Sequence, residues 1–307
     1  MDVTEDTIRL AYRLFLNRDA GAPEVTAMAA NQTSVTSLRN AFLNSREFDQ
    51  KYNNQRPKNR FNWAPDQVLI HLHVPKTAGS SLTRVLAPYF ATGTQLPVSD
   101  GELSALASLP EDERRSASFV FGHLSHGTAN YMPQGHKYIC VLRKPGPRLL
   151  SYYNYLYRTE DHHSYDIVRG QKMSFGTFLE WAADPSSGHR DEVNNGQIRR
   201  LAGRQMQRDG GTEADMLPEA LKNLLAPDMI YGLTEYFDHF VQRLHAGGFI
   251  AGTPDIHENT APYPASLEGA LTSLTAEQSD LYHAFTGWDE IFYNISERLY
   301  FAQDDIP

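Results

Sequence analysis

The chain predicts an α/β fold, a mostly parallel central sheet flanked by helices and preceded by a small all-helical module. Three observations carry that prediction. Short runs of branched apolar residues recur at Gln67–Val74, Ser118–Phe121, Tyr138–Leu142 and Met229–Leu233. Segments of helical periodicity lie between them, and strands alternating with helices argue for a parallel sheet covered on both faces. The first 55 residues, by contrast, show helical spacing only.

In the N-terminal segment Ile8, Tyr12 and Phe15 recur at helical spacing, and Leu38, Phe42 and Phe48 mark a later helix. Asn17–Pro23 breaks the two. The polar, Pro-containing stretch 56–66 reads as a linker. The division is therefore a helical module at 1–55, a linker at 56–66 and a main domain at 67–307. Within that domain helices are expected at Ser80–Tyr89, Pro147–Tyr157, Phe175–Ala182 and Ala214–Leu225, then as a pair at Ala276–Phe285 and Asp289–Phe301. Pro145 and Pro147 are expected to hold the chain out of helix until after them.

Composition excludes several classes. With 41% hydrophobic and 21% charged residues, the chain is neither disordered nor fibrous. No apolar run reaches the ~18 residues of a membrane helix. The acidic start Met1–Asp6 lacks the features of a signal peptide, and the single Cys140 suits a reducing compartment, so a cytoplasmic location is expected. A net charge of −9 argues against nucleic-acid binding. That charge is uneven: residues 1–60 and 61–160 each carry +2 and residues 161–307 carry −13, so an anion site belongs in the earlier segments.

Two loops supply such a site. The first, His73–Leu82, leaves a strand and opens a helix. Small residues at Ala78, Gly79, Ser80 and Ser81 let backbone N–H groups turn inward around an anion, and the helix adds its own free N–H groups. Lys76 adds a full charge, and the hydroxyls of Thr77, Ser80 and Ser81 add donors. This is phosphate-binding chemistry in a P-loop-like setting, although the Walker pattern is absent because the Lys precedes the small residues. The second, Lys137–Tyr153, repeats strand, basic turn and helix. It places Arg143 at the carboxyl edge of its strand, where open α/β sheets bind ligands. A guanidinium there can grip phosphate as a fork, and Ser151 in the following helix can face the same ligand.

Together these elements resemble the sulfotransferases that use 3′-phosphoadenosine 5′-phosphosulfate (PAPS), in the carbohydrate branch, sulfotransferase family 2, which contains heparan sulfate 2-O-sulfotransferase. Four motifs carry the likeness in order: Lys76–Ser81, Gly122-His123-Leu124-Ser125, Arg143–Tyr153 and Tyr231–Phe237. It runs from about residue 67 to 300. One departure stands out, since the family has Asp where this chain has Lys144. The N-terminal segment, through Tyr12–Asp19 and Phe42–Phe48, is similar to a small helical module of unknown function found beside bacterial secreted and glycan-related proteins, which implies a bacterial member.

The resemblance implies sulfuryl transfer from PAPS to a hydroxyl, most readily of a carbohydrate, with 3′-phosphoadenosine 5′-phosphate (PAP) leaving and no metal required. His123 is the candidate general base, because an imidazole of pKa near 6.5 suits that work at neutral pH. Lys76 would stabilise the leaving phosphate oxygen. Thr77, Ala78, Gly79, Ser80 and Ser81 would hold the 5′-phosphosulfate, Arg143 and Ser151 the 3′-phosphate, and Asn259 in a late Gly/Pro-rich loop would close over the nucleotide. His126, Tyr153, Arg199 and Arg200 are candidates for the acceptor side, where Arg190, Arg204 and Arg208 could extend a basic cleft for a uronate polymer. His71, His73, His162 and His163 lack the further ligands a zinc site needs. Three other readings stay open: sulfation of a non-sugar alcohol, a nucleotide-dependent kinase, and a non-catalytic glycan-binding protein.

Overall fold

The computed structural model describes residues 3–53, 66–98, 103–203, 209–252 and 266–302. Strands β1 (Val68–Leu72), β2 (Gln95–Val98), β3 (Phe119–Gly122), β4 (His136–Leu142) and β5 (Met229–Leu233) form one sheet in the order β2-β3-β1-β4-β5. Every pairing is parallel, with Ile70 between Val120 and Tyr138 at the centre. All of β1 and β5 is buried, as expected of apolar runs covered by helices on both faces. The sequence reading missed β2, whose Gln-Leu-Pro-Val is a short edge strand with only Val98 buried. Such an edge can tolerate Pro97.

The chain enters the sheet centrally at β1, runs out to the β2 edge, returns through β3 and crosses to β4. The carboxyl ends of β1, β3, β4 and β5 therefore open at the switch in strand order, where such sheets take ligands.

Fifteen described helices of α type surround the sheet and build the module. The module contains α1 (Glu5–Leu16), α2 (Ala22–Asn31), α3 (Val35–Leu43) and α4 (Arg46–Asn53). Then follow α5 (Gly79–Leu86), α6 (Leu103–Ser108), α7 (Glu111–Ser116), α8 (Pro145–Arg158), α9 (Phe175–Ala183), α10 (Arg190–Val193) and α11 (Gly196–Ala202). The last are α12 (Glu213–Leu224), α13 (Phe237–Ala246), α14 (Leu267–Thr272) and α15 (Ala276–Phe301).

Two helix expectations are corrected. Helix α8 begins at Pro145, with both prolines inside its first turn. Proline is tolerated there because first-turn N–H groups have no partner within the helix. The two C-terminal helices are one, α15, of 26 residues. At the expected break the Asn195 side chain contacts the helix backbone: its Oδ1 accepts from the N–H of Trp288 (2.9 Å) and Asp289 (3.0 Å), and its Nδ2 donates to Ala284 O (2.9 Å). A tertiary contact thus carries backbone bonding across Thr286-Gly287.

In the module Phe42 meets Tyr12 edge-on at 4.7 Å and stacks on Phe15 at 5.5 Å. Its buried residues Ile8, Phe42 and Phe48 join the same apolar cluster as Leu72 and Leu299. Arg298 of α15 donates to Asn44 at 2.5 Å and lies over the Phe48 ring. A second cluster, with Leu149, Leu156, Phe178 and Phe285, packs α8 and α9 against α15.

Candidate active site

The loop after β1 is shaped by its backbone. Lys76 (φ 68°) and Ala78 (φ 64°) are left-handed on either side of Thr77, an alternation that curls successive N–H groups into a concave anion-binding nest. The first turn of α5 adds N–H groups without intrahelical partners. The Thr77 hydroxyl donates to Val74 O at 2.8 Å and is fully buried, so this side chain braces the loop from behind. Gly79 is required by a close approach: a Cβ there would lie 1.9 Å from the His73 ring. The Lys76 ammonium sits 4.4 Å over the Tyr155 ring, a cation–π contact that aims it across the site.

At the end of β4, the Arg143 guanidinium donates to Lys76 O at 3.0 Å and ties the two basic loops together. Gln197 clasps the Arg143 main chain, accepting from its N–H (2.9 Å) and donating to its carbonyl (2.8 Å). Glu235 Oε1 accepts from the Lys144 N–H at 2.9 Å while its Oε2 accepts from Tyr293 at 2.7 Å. A carboxylate from the segment after β5 thus bonds the turn, while the Lys144 side chain is exposed. Thr234 beside it donates to Leu142 O at 3.0 Å.

His123 follows β3 directly. Gly122 before it has φ 154°, and a Cβ there would meet Val98 O at 2.0 Å, so the turn into His123 needs glycine. The His123 ring lies edge-on to His73 at 4.8 Å, and His73 stacks on His71 at 5.5 Å. Burial pushes His71 down to about 3 and His73 down to about 2, so both are neutral near pH 7. The His123 carbonyl accepts from Arg200 at 2.9 Å. Arg200 is paired with Glu192, which also takes the buried Arg148 at 2.8 Å; Asp289 lies 3.8 Å from Arg148. Asp289 caps α11 as well, accepting from the N–H groups of Gln197 (3.1 Å) and Ile198 (2.9 Å).

These elements enclose a cavity of about 1220 Å³. It brings together Lys76, Ala78, Gly79, Ser80, Ser81, His123, Arg143, Ser151, Arg199 and Arg200 from the sequence reading. Other candidates fall elsewhere. Tyr153 turns into the core, donating to Met173 O at 2.7 Å and packing on Phe175 and Phe178. His126 is not among the lining residues; its ring packs 4.9 Å from Tyr138, and burial lowers its pKa. Arg199 and Arg200 line the cavity with their charges paired, to Glu213 and Glu192, so they do not form the open basic cleft expected of them. Asn259, Arg204, Arg208 and nearly all of the linker lie outside the described residues.

The cavity also contains residues the sequence reading did not assign to it: His73, Tyr152, Tyr155, Thr234, Glu192 and a group formed by His162, His163 and His189. Tyr155 had a usable signal, since it follows Ser151 by one helical turn and shares its face. Gln197 had none, because Arg143 is distant in sequence, and Glu192 had only the nearby Arg200, since Arg148 is distant too. Among the described residues no group of three or more His, Cys, Asp or Glu side chains is arranged to hold a metal ion. None of the described helices is long and apolar enough to cross a membrane.

Residues 59–203 match the model of the sulfotransferase family. Over that segment the chain resembles the sulfotransferase family. It is similar to heparan sulfate 2-O-sulfotransferase 1 of Mus musculus, 25% identical over 232 residues, which is 69% of this chain and 64% of the relative. The Homo sapiens protein of that name gives the same values. The Cricetulus griseus protein is 27% identical over 210 residues, 62% of this chain and 58% of the relative. The chain thus spans less than two thirds of the length of these relatives. The family match ends at residue 203, yet this chain bonds the turn after Arg143 with Glu235 and caps α11 with Asp289, both from the segment beyond.

Proposed function

We propose that the protein transfers a sulfuryl group from PAPS to a hydroxyl of a carbohydrate acceptor. The observation that most supports this is the convergence of the Lys76 nest, Arg143 and His123 on one cavity at the carboxyl edge of the sheet. A glycan acceptor follows from the relatives, whose names specify heparan sulfate.

PAPS supplies an activated sulfuryl group on a phosphate that leaves readily. The backbone N–H groups of residues 77–81 bind the 5′-phosphosulfate, and Arg143 and Ser151 bind the 3′-phosphate. His123 accepts the proton of the acceptor hydroxyl as its oxygen attacks sulfur in line. The sulfur–oxygen bond to the 5′-phosphate breaks as the new one forms, and PAP leaves with the electron pair. Lys76 stabilises the charge that collects on the leaving oxygen. The His73 ring beside His123 is neutral.

The test is transfer of radiolabelled sulfate from PAPS to a panel of glycans. His123→Ala should lower kcat by about 100- to 10,000-fold, the usual contribution of a general base, with PAP affinity retained. Near-normal turnover by that variant removes His123 from the base role. Magnesium-dependent turnover of ATP with no transfer from PAPS overturns the function in favour of a kinase. PAP binding with no transfer to any acceptor makes the protein a non-catalytic binder.

A further inference from the structure

Helix α11 holds two of the site's loops. Gln197 clasps the main chain of Arg143 at the end of β4. Arg200 stands three residues further on, on the same face of the helix, and reaches the loop after β3. Its Nη1 donates to the His123 carbonyl at 2.9 Å and to the Leu124 carbonyl at 3.4 Å. Its own carbonyl accepts from the His126 N–H at 2.8 Å. Arg200 thus bonds this loop with its side chain at His123 and with its main chain at His126.

The contact falls at the place that aims the imidazole. Gly122 opens the loop at φ 154° and Gly127 closes it at φ 94°, so both ends turn on residues without a side chain. His123 comes directly after the first of these turns. The direction of its Cα–Cβ bond is set by the peptides on either side, and the oxygen of the following peptide is the one that Arg200 bonds.

Arg200 is anchored in turn. Its Nη2 donates to Glu192 Oε2 at 2.5 Å. Glu192 takes the buried Arg148 twice, at Oε1 and at its carbonyl, both at 2.8 Å. The Arg200 fork therefore spans a fixed carboxylate on one side and the His123 loop on the other. A lysine could make one of these contacts but not both.

We propose that Arg200 is a positioning residue: by bonding the carbonyls of His123 and Leu124 it fixes the His123 imidazole relative to Arg143, which the same helix holds through Gln197. The sequence points Arg200 at the acceptor, whereas its hydrogen bonds run to the main chain of the loop that carries the base. This inference rests on the sulfuryl-transfer reading.

The experiment compares the full chain with Arg200→Met, Arg200→Lys, His123→Ala and the double variant of His123→Ala with Arg200→Met. Radiolabelled PAPS is the donor. The acceptor is whichever hexasaccharide the wild type sulfates fastest among maltohexaose, mannohexaose, chitohexaose and that of N-acetylheparosan. PAP affinity and urea unfolding are measured alongside. Arg200→Met leaves Glu192 its bonds to Arg148, so the buried charge keeps a partner. That variant should lower kcat by about 10- to 100-fold, the scale of a small misplacement, with acceptor KM and PAP affinity within about twofold. Arg200→Lys keeps the charge but not the fork and should lower kcat by about threefold or more, which decides the question should the Met variant fail to fold. In the His123→Ala background Arg200→Met should cost less than about threefold further, because a residue that acts through His123 has nothing left to position.

Unchanged kcat in the Arg200 variants, or an equal further loss without His123, overturns the inference and leaves the transfer reading intact. So does a raised acceptor KM at constant kcat, which would make Arg200 a direct acceptor contact. Label transfer by the wild type to none of the four, and to no other glycan, overturns both.

Discussion

Gln197 holds Arg143 by the main chain, its amide oxygen on the Arg143 N–H and its amide nitrogen on the Arg143 carbonyl. The residue proposed to grip the 3′-phosphate is thus set from outside its own loop, by a fully buried side chain on α11. Gln197→Glu replaces the donor with a carboxylate oxygen that faces the Arg143 carbonyl. The expected outcome is a loss of about 1–3 kcal/mol of stability, from a buried group left unsatisfied. PAP affinity should fall about tenfold with it, read by calorimetry and urea unfolding, and unchanged affinity would show that Arg143 needs no such hold.

Glu192 stands between two guanidiniums, one of them, Arg148, with its side chain only 2% exposed. The other nearby carboxylate for Arg148 is Asp289, whose own pKa burial pushes up. Glu192→Ala leaves a buried charge short of its main partner, and the expected cost is about 3–5 kcal/mol. Urea unfolding reads this directly; a change below about 1 kcal/mol would mean that Asp289 alone compensates Arg148.

Gly79→Ala tests the packing behind the nest. The added methyl would press on the His73 ring, and through it on His123. Overpacking of this kind costs about 1–3 kcal/mol. The variant should also lose more in kcat than in PAP affinity, because the displaced ring contacts His123, the proposed base. Equal losses in the two would place the strain in the nest itself.

Burial of His71 makes stability depend on pH. Its folded pKa is pushed down to about 3 from an ordinary 6.5. Above pH 6.5 both states are neutral and the group contributes no slope. As pH falls from 6.5 toward 3 the unfolded chain takes a proton that the folded one refuses, so stability declines across that window. His71→Leu should flatten the slope by up to about 1.4 kcal/mol per pH unit. Urea midpoints at pH 7, 6, 5 and 4 check it, and parallel profiles for the two proteins would contradict it.

The parts legible in the sequence were those written locally. Four of the five strands announced themselves as runs of branched apolar residues, and the Lys76 and Arg143 loops could be placed at strand ends by the helix signals after them. The edge strand β2 was not legible, because a strand buried at one residue needs little apolar patterning. Tyr153 looked equivalent to its neighbours, and only the packing of α8 on α9 decided that it faces the core while Tyr152 and Tyr155 face the cavity. Arg199 and Arg200 read as a basic cleft because their partners Glu213 and Glu192 are a helix away or more in the chain.

By itself, then, the sequence determined the alternation of strands and helices and the candidacy of the Lys76 loop as a phosphate site and of His123 as a base. These depend on period, composition and short motifs, which act over a few residues. The tertiary structure alone decided what surrounds them. Strand order brought the ends of β1, β3, β4 and β5 to one edge, Glu235 bonded the Lys144 N–H from the segment after β5, and Glu192 paired with Arg148 and Arg200. Those outcomes depend on charges and hydrogen-bonding groups far apart in the chain, and a buried polar group takes its partner from whatever the fold brings within reach.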